Sequence, residues 1–212
     1  MAKAKIAYLC TECGAHSPKW AGQCPDCAAW NTLTETTLSA VKVSSGASAT
    51  TMKDLPDDIE FRHQTGFGEF DRVLGGGLVP GAVVLLGGDP GVGKSTLLQQ
   101  VSANLMQDLP VCYATGEESL RQIGQRSTRL GLDASAMNLL SDVSLENILA
   151  QSRKCKAQVL IIDSMQTMVS ESVPSAPGSV AQLRDCVGKI VQFAKQNDVA
   201  VFIIGHVTKE GA

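Results

Sequence analysis

Gly88-Asp89-Pro90-Gly91-Val92-Gly93-Lys94-Ser95 is the run of this 212-residue chain whose residue types and spacing say most about chemistry. It reads G-x-x-x-x-G-K-S, preceded by the apolar run Ala82-Val83-Val84-Leu85-Leu86 and followed by Thr96 and a helical pattern. A strand that hands over to such a loop lets consecutive backbone N–H groups turn inward around phosphate oxygens, and the helix beginning there adds the positive end of its dipole. In this pattern Lys94 reaches the β- and γ-phosphates and Ser95 holds Mg²⁺. The expectation is a nucleoside triphosphate site formed by Gly88 through Thr96.

Hydrolysis at such a site needs two further acids. Asp163 ends the apolar run Val159-Leu160-Ile161-Ile162, and ligands of open α/β sheets collect at the carboxyl ends of strands. Its expected role is in the Mg²⁺ shell; the plainer alternative is an acid that starts a turn. Glu117 and Glu118 follow a second apolar run, Val111 to Thr115, where a carboxylate reaches the γ-phosphate and orients an attacking water. Glu117 is placed ahead of Glu118 in that role. Acids in a first helical turn also simply offset the helix dipole. His206, Thr208 and Lys209 follow the last apolar run, as sensors of the γ-phosphate, contacts to a neighbouring subunit, or plain loop residues.

A second chemistry sits at the N-terminus. Cys10, Cys13, Cys24 and Cys27 form two C-x-x-C knuckles, a spacing that offers four thiolates to one tetrahedral Zn²⁺. A redox dithiol would instead need one C-x-x-C beside a βαβ unit. Trp20 and Trp30 are expected to cover the metal. Cys112, Cys155 and Cys186 stand alone and read as small core or boundary residues.

These groups need elements to position them. Residues 1–34 read as a strand-poor zinc module, too small to fold without metal. Residues 35–54, rich in Ser, Thr and Ala, read as a flexible linker. Residues 55–212 alternate short apolar runs with helical patterns, which predicts an α/β fold with a mostly parallel sheet. Helices are expected at 67–74, from Lys94, at 119–130 and at 144–154, and from a capping box, Ser179-x-x-Gln182. Strands are expected at 82–86, 111–115, 137–140, 159–163 and 199–204. With 44% hydrophobic and 18% charged residues the composition is that of a globular protein, and no secretory signal or membrane-spanning run is visible. A cytoplasmic location without membrane contact follows as the expectation. The net charge of −3 gives no global attraction to nucleic acid, so any such contact must be local.

TGFGEFDRVLGGGLVPGAVVLLGGDPGVGKST, YATGEES, VLIIDS and GHVTKEG, together with the cysteine knuckles, resemble the bacterial RadA (Sms) family of DNA repair and recombination proteins. The resemblance implies a RecA-like P-loop NTPase core behind a zinc ribbon, in a hexameric ring. It implies a DNA-dependent ATPase that binds single-stranded DNA and branch-migrates recombination intermediates with RecA, using ATP, Mg²⁺ and Zn²⁺. By the same resemblance Lys94, Ser95, Asp163 and Glu117 carry the nucleotide chemistry, and Ser170 to Ser179 form a DNA-facing loop. Arg184 and Lys189 are the basic residues near that loop. Members of the family continue with further strands, a second DNA loop and a protease-like domain, so the chain is expected to be a fragment. Two other readings stand beside this one: a phosphotransferase of the clock-kinase type, and an adaptor in which ATP sets conformation and the ribbon docks a partner.

Overall fold

Residues 6–37, 51–54 and 61–206 are described by the computed structural model. Most of the expected linker, and Thr208 and Lys209, lie outside the described residues. The chain divides into two units, Met1–Phe61 and Arg62–Ala212.

In the first unit, Ala7 and Leu9 point inward from β1 (Ile6–Cys10), the period of a half-buried strand. β1 is the centre of an antiparallel sheet, flanked by β2 (His16–Ser17) and β3 (Leu33–Thr37), with Cys10 opposite Leu33 and Tyr8 opposite Glu35. The module is therefore not strand-poor, and its sheet extends through Glu35, Thr36 and Thr37, which composition had assigned to the linker. A threonine-rich strand has few apolar residues to announce it; pairing with β1 gives its backbone partners instead. Among the described residues its buried apolar side chains are Ala7, Leu9, Cys10, Cys24 and Leu33.

The second unit contains a five-stranded, wholly parallel sheet. Its strands are β4 (Val83–Gly88), β5 (Val111–Thr115), β6 (Asn138–Ser141), β7 (Val159–Asp163) and β8 (Ala200–His206), in the spatial order β4-β8-β7-β5-β6. The helices are α1 (Gly68–Val73), α2 (Lys94–Leu105), α3 (Leu120–Arg129), α4 (Leu145–Lys154) and α5 (Val180–Asn197). Alternation within the buried strands supplies a core on each face. Tyr113, Ile161 and Phe202 pack with Leu98, Val101 and Ile123, while Leu160, Ile162, Val201 and Ile203 pack with Ile148, Ile190 and Phe193. Because β8 and β7 lie between β4 and β5, their carboxyl ends form one rim. Gly88 is in register with His206, and Asp163 with Thr115.

Helix starts show where local signals hold and where packing overrides them. Ser119 and Gln122 form a complete capping box at α3. At α5, Ser179 Oγ accepts from the Gln182 N–H, but the Gln182 side chain leaves the cap and enters the core.

Candidate functional site

β4 delivers the phosphate loop and α2 receives it. Gly93, the residue before α2, has φ 99°, a left-handed conformation that glycine adopts without Cβ strain. It carries no capping side chain, so the first N–H groups of α2 are left for a ligand. Lys94 is buried, and its Nζ donates to the carbonyls of Gly88 (2.6 Å) and Asp89 (2.8 Å), closing the loop on itself. Ser95 and Thr96 are half-buried in the first turn, and Val92 stands exposed at the tip, beside Gly91 and Pro90.

The acids come from neighbouring strands. Asp163, at the end of β7, is 4% exposed and accepts a 2.7 Å hydrogen bond from the Tyr113 hydroxyl at Oδ2. Its backbone carbonyl accepts from the N–H of Gly116, which anchors the turn after β5. A Cβ on Gly116 would collide with the Thr167 side chain, so this turn lies flat against the segment following β7. Glu117 is thereby brought beside Ser164, whose hydroxyl donates to Glu117 Oε1. His206 bridges the rim: Nε2 lies 3.4 Å from Glu117 Oε1, and Nδ1 lies 3.4 Å from Lys94 Nζ. Gln166 Nε2 donates to the His206 carbonyl (3.1 Å) and steadies it.

Adjacent acids thus have different surroundings. Glu117 faces the rim and is exposed, whereas Glu118 is held away by Arg126, whose Nη1 donates to Glu118 Oε1 at 2.8 Å. Arg126 Nε donates in turn to Gln99 on α2. Glu118 is a strut between α3 and the phosphate-loop helix.

The segment expected to face DNA is well fastened at its start. Gln182, fully buried, accepts from the Ser170 N–H (2.8 Å) and donates to the carbonyls of Ser170, Val173 and Ser175. Lys189 Nζ donates to Glu146 Oε1 (2.6 Å) and Ser172 Oγ (2.6 Å) and pairs with Asp185 (3.1 Å). Lys189 is therefore spent inside the protein rather than presented to a phosphate backbone. Arg184 lies on the exposed side of α5.

In the first unit, the Sγ atoms of Cys10, Cys13, Cys24 and Cys27 all lie within 4.8 Å of one another. Cys10 to Cys27 is 3.6 Å and Cys13 to Cys24 is 3.7 Å. A tetrahedron of sulfurs about 2.3 Å from a central Zn²⁺ has edges of about 3.8 Å, so the donor set fits that ion. Burial and sulfur crowding push the Cys13 thiol up to about 12. Burial also opposes charge on Cys10, but donors from Cys13, Thr32 and Glu12 hold it at about 6. Four such sulfurs become thiolates together only around a cation. Trp20 and Trp30 do not cover the centre as expected. They are 59% and 69% exposed and flank Gly22, whose Cβ position lies within 4.0 Å of both indoles. Burial pushes Cys112 up to about 12 and Cys186 to about 11, leaving neither nucleophilic at neutral pH.

Comparison with known proteins agrees with both units. Residues 54–212 match a family described as AAA domain. The chain belongs to the AAA domain family. Residues 8–35 match a rubredoxin metal binding domain. Over its whole length the chain is 50% identical to the DNA repair protein RadA of Pseudomonas aeruginosa, 46% to that of Escherichia coli and 43% to that of Bacillus subtilis. It spans about half the length of these relatives, 49% in each case. A KaiC-like protein from Pyrococcus horikoshii shares the fold, with TM-score 0.60 at 20% identity over 72% of this chain and 74% of that one. Among the described residues no helix is long and apolar enough to cross a membrane.

Within the AAA domain, sequence reading reached Lys94, Ser95, Glu117 and Asp163 because each follows a recognisable strand. It missed Tyr113 and Ser164, which donate to Asp163 and Glu117, and Arg126, which holds Glu118. The one available hint was polarity out of place: Tyr113 carries a hydroxyl in the middle of a buried strand, between Cys112 and Ala114.

Proposed function

We propose that this chain carries the nucleotide-hydrolysing part of a DNA-repair ATPase that binds single-stranded DNA and processes branched recombination intermediates with RecA. The observation that carries this reading is the rim itself. Lys94, His206 and Glu117 form one chain of close contacts across β4, β8 and β5, with Asp163 on the strand between β8 and β5. In this assignment the loop from Gly88 to Thr96 holds the triphosphate of ATP, Lys94 releases its loop carbonyls to meet the β- and γ-phosphates, and Ser95 and Asp163 hold Mg²⁺, which neutralises developing phosphate charge. Glu117, steadied by Ser164, takes the proton of the attacking water. Glu118 serves the architecture rather than the reaction. Zn²⁺ occupies the four-cysteine centre, and the intact protein acts as a hexameric ring. The names of the RadA relatives support the repair context.

Steady-state ATP hydrolysis with and without single-stranded DNA, beside a Lys94→Ala control, tests this. Stimulation by DNA that disappears in the control is the expected result. A stable phosphoprotein and indifference to DNA would favour the clock-kinase phosphotransferase instead. DNA contact by Arg184 predicts that Arg184→Ala weakens binding uniformly and lowers the salt slope by about 1.

One observation favours a docking function for the ribbon alongside the ATPase. Its indoles are solvent-facing, and its acids Glu12, Asp26 and Glu35 outnumber Lys19 among the described residues, a balance unsuited to a phosphate backbone. Loss of RecA binding in Cys27→Ser with ATP binding intact is the expected result; unchanged RecA binding removes the ribbon from that contact.

A further inference from the structure

Asp163 needs more than a position at the end of β7 to serve a metal ion, because a carboxylate offers two oxygens and turns about its bond. We propose that Tyr113 is the positioning residue that fixes this turn, engaging Oδ2 so that Oδ1 is the oxygen presented to Mg²⁺ and its waters. The proposal rests on the assignment of Asp163 to the Mg²⁺ shell.

Two observations carry it. The Tyr113 ring is fully buried on β5, opposite Ile161 in the register of the parallel pair, and its hydroxyl reaches two residues along β7 to Asp163 Oδ2 at 2.7 Å. Asp163 is itself 4% exposed, and among the described residues no other side chain donates to it. A phenol that donates to one carboxylate oxygen of a metal-associated acid orients the other, as partners behind a metal ligand generally do. The same bond satisfies a buried hydroxyl that would otherwise be costly to leave unpaired on this apolar face. Phenylalanine preserves the packing with Ile161 and Leu98 and deletes only the donor.

Calorimetric titration of the full chain with ATP, across Mg²⁺ concentrations and in EDTA, separates the possibilities. Tyr113→Phe is expected to raise the Mg²⁺ midpoint for ATP binding about tenfold while leaving affinity in EDTA unchanged. A wild-type midpoint in Tyr113→Phe, with or without a lower Tm, overturns the proposal and leaves Tyr113 as packing. Asp163→Asn is measured in parallel. If it also leaves the midpoint unchanged, the metal assignment of Asp163 falls and this inference with it. If Asp163→Asn shifts the midpoint and Tyr113→Phe does not, only the inference falls. The unmutated chain gives an independent reading, since it contains two tyrosines, Tyr8 and Tyr113. With 3-fluorotyrosine incorporated, the ¹⁹F resonance lost in Tyr113→Phe or, where that variant does not fold, the one retained in Tyr8→Phe belongs to Tyr113. That resonance is expected to move on adding ATP with Mg²⁺ and to stay with ATP in EDTA; an unmoved resonance overturns the proposal.

Discussion

The two units of this chain reach order by opposite means. Among its described residues the ribbon buries five apolar side chains, two of them cysteines that face the metal centre, and leaves both tryptophans in solvent. The AAA domain buries two continuous layers, one on each face of its sheet. The difference locates the source of stability: ligand bonds in one unit, apolar area in the other. It also locates the sensitivity of each. The ribbon responds to anything that changes sulfur chemistry, and the AAA domain to anything that leaves a buried polar group without its partner.

The largest expected effect breaks the comparison at its metal. Structural Zn²⁺ contributes about 10–16 kcal/mol in small modules of this kind. Chelation, or Cys10→Ser, should therefore unfold the ribbon, seen as loss of dispersed Trp20 and Trp30 indole signals in NMR spectra, while ATP binding by the AAA domain persists. Elemental analysis should find zinc; iron in its place would overturn that assignment.

Within the AAA domain, Glu117 and Glu118 provide the next contrast. Glu117→Gln should lower ATP turnover roughly 10²- to 10⁴-fold with nucleotide affinity retained. Glu118→Gln should leave turnover near wild type and cost about 1 kcal/mol in denaturant unfolding, since Arg126 is largely buried but Glu118 is partly solvated. Equal kinetic losses in both variants would dissolve the distinction between them.

Gln182→Ala should cost more than Glu118→Gln, about 2–3 kcal/mol, because it strands the Ser170 N–H and three carbonyls in a buried site. Cleavage between Ser170 and Ser179 in limited proteolysis should rise with it.

The smallest effect is pH-dependent. Partial burial opposes charge on Asp185 and Glu146, but Ser170, Ser172 and Lys189 hold Asp185 below its ordinary 3.8, and Lys189 holds Glu146 below 4.5. Burial likewise opposes charge on Lys189, yet Glu146 and Asp185 raise it above 10.5. The stability these groups add is complete above the ordinary carboxylate values and lost as pH falls through the depressed ones. At the other end it is lost as pH rises through the raised lysine value. Hydrogen exchange of residues 170–175 should therefore show protection at neutral pH that fades as pH falls below the ordinary carboxylate values.

Much of this was readable along the chain. The sequence alone determined the order of strands and helices, the phosphate loop, and the four thiol ligands, because periodicity, glycine placement and C-x-x-C spacing are local signals. It did not reveal the ribbon's strands β1, β2 and β3, because that short sheet is made by its strands' hydrogen bonds to one another. It read Gln182 as half of a capping box, and only packing sent that side chain to Ser170, Val173 and Ser175. It offered Lys189 to DNA, and only the meeting of α4 with α5 consumed that charge. Which of two adjacent glutamates faces the nucleotide rim, and which oxygen of Asp163 a tyrosine engages, were decided by the tertiary structure. Such choices depend on side chains arriving from strands and helices distant in sequence, and a hydrogen bond across elements leaves no periodicity in either of them.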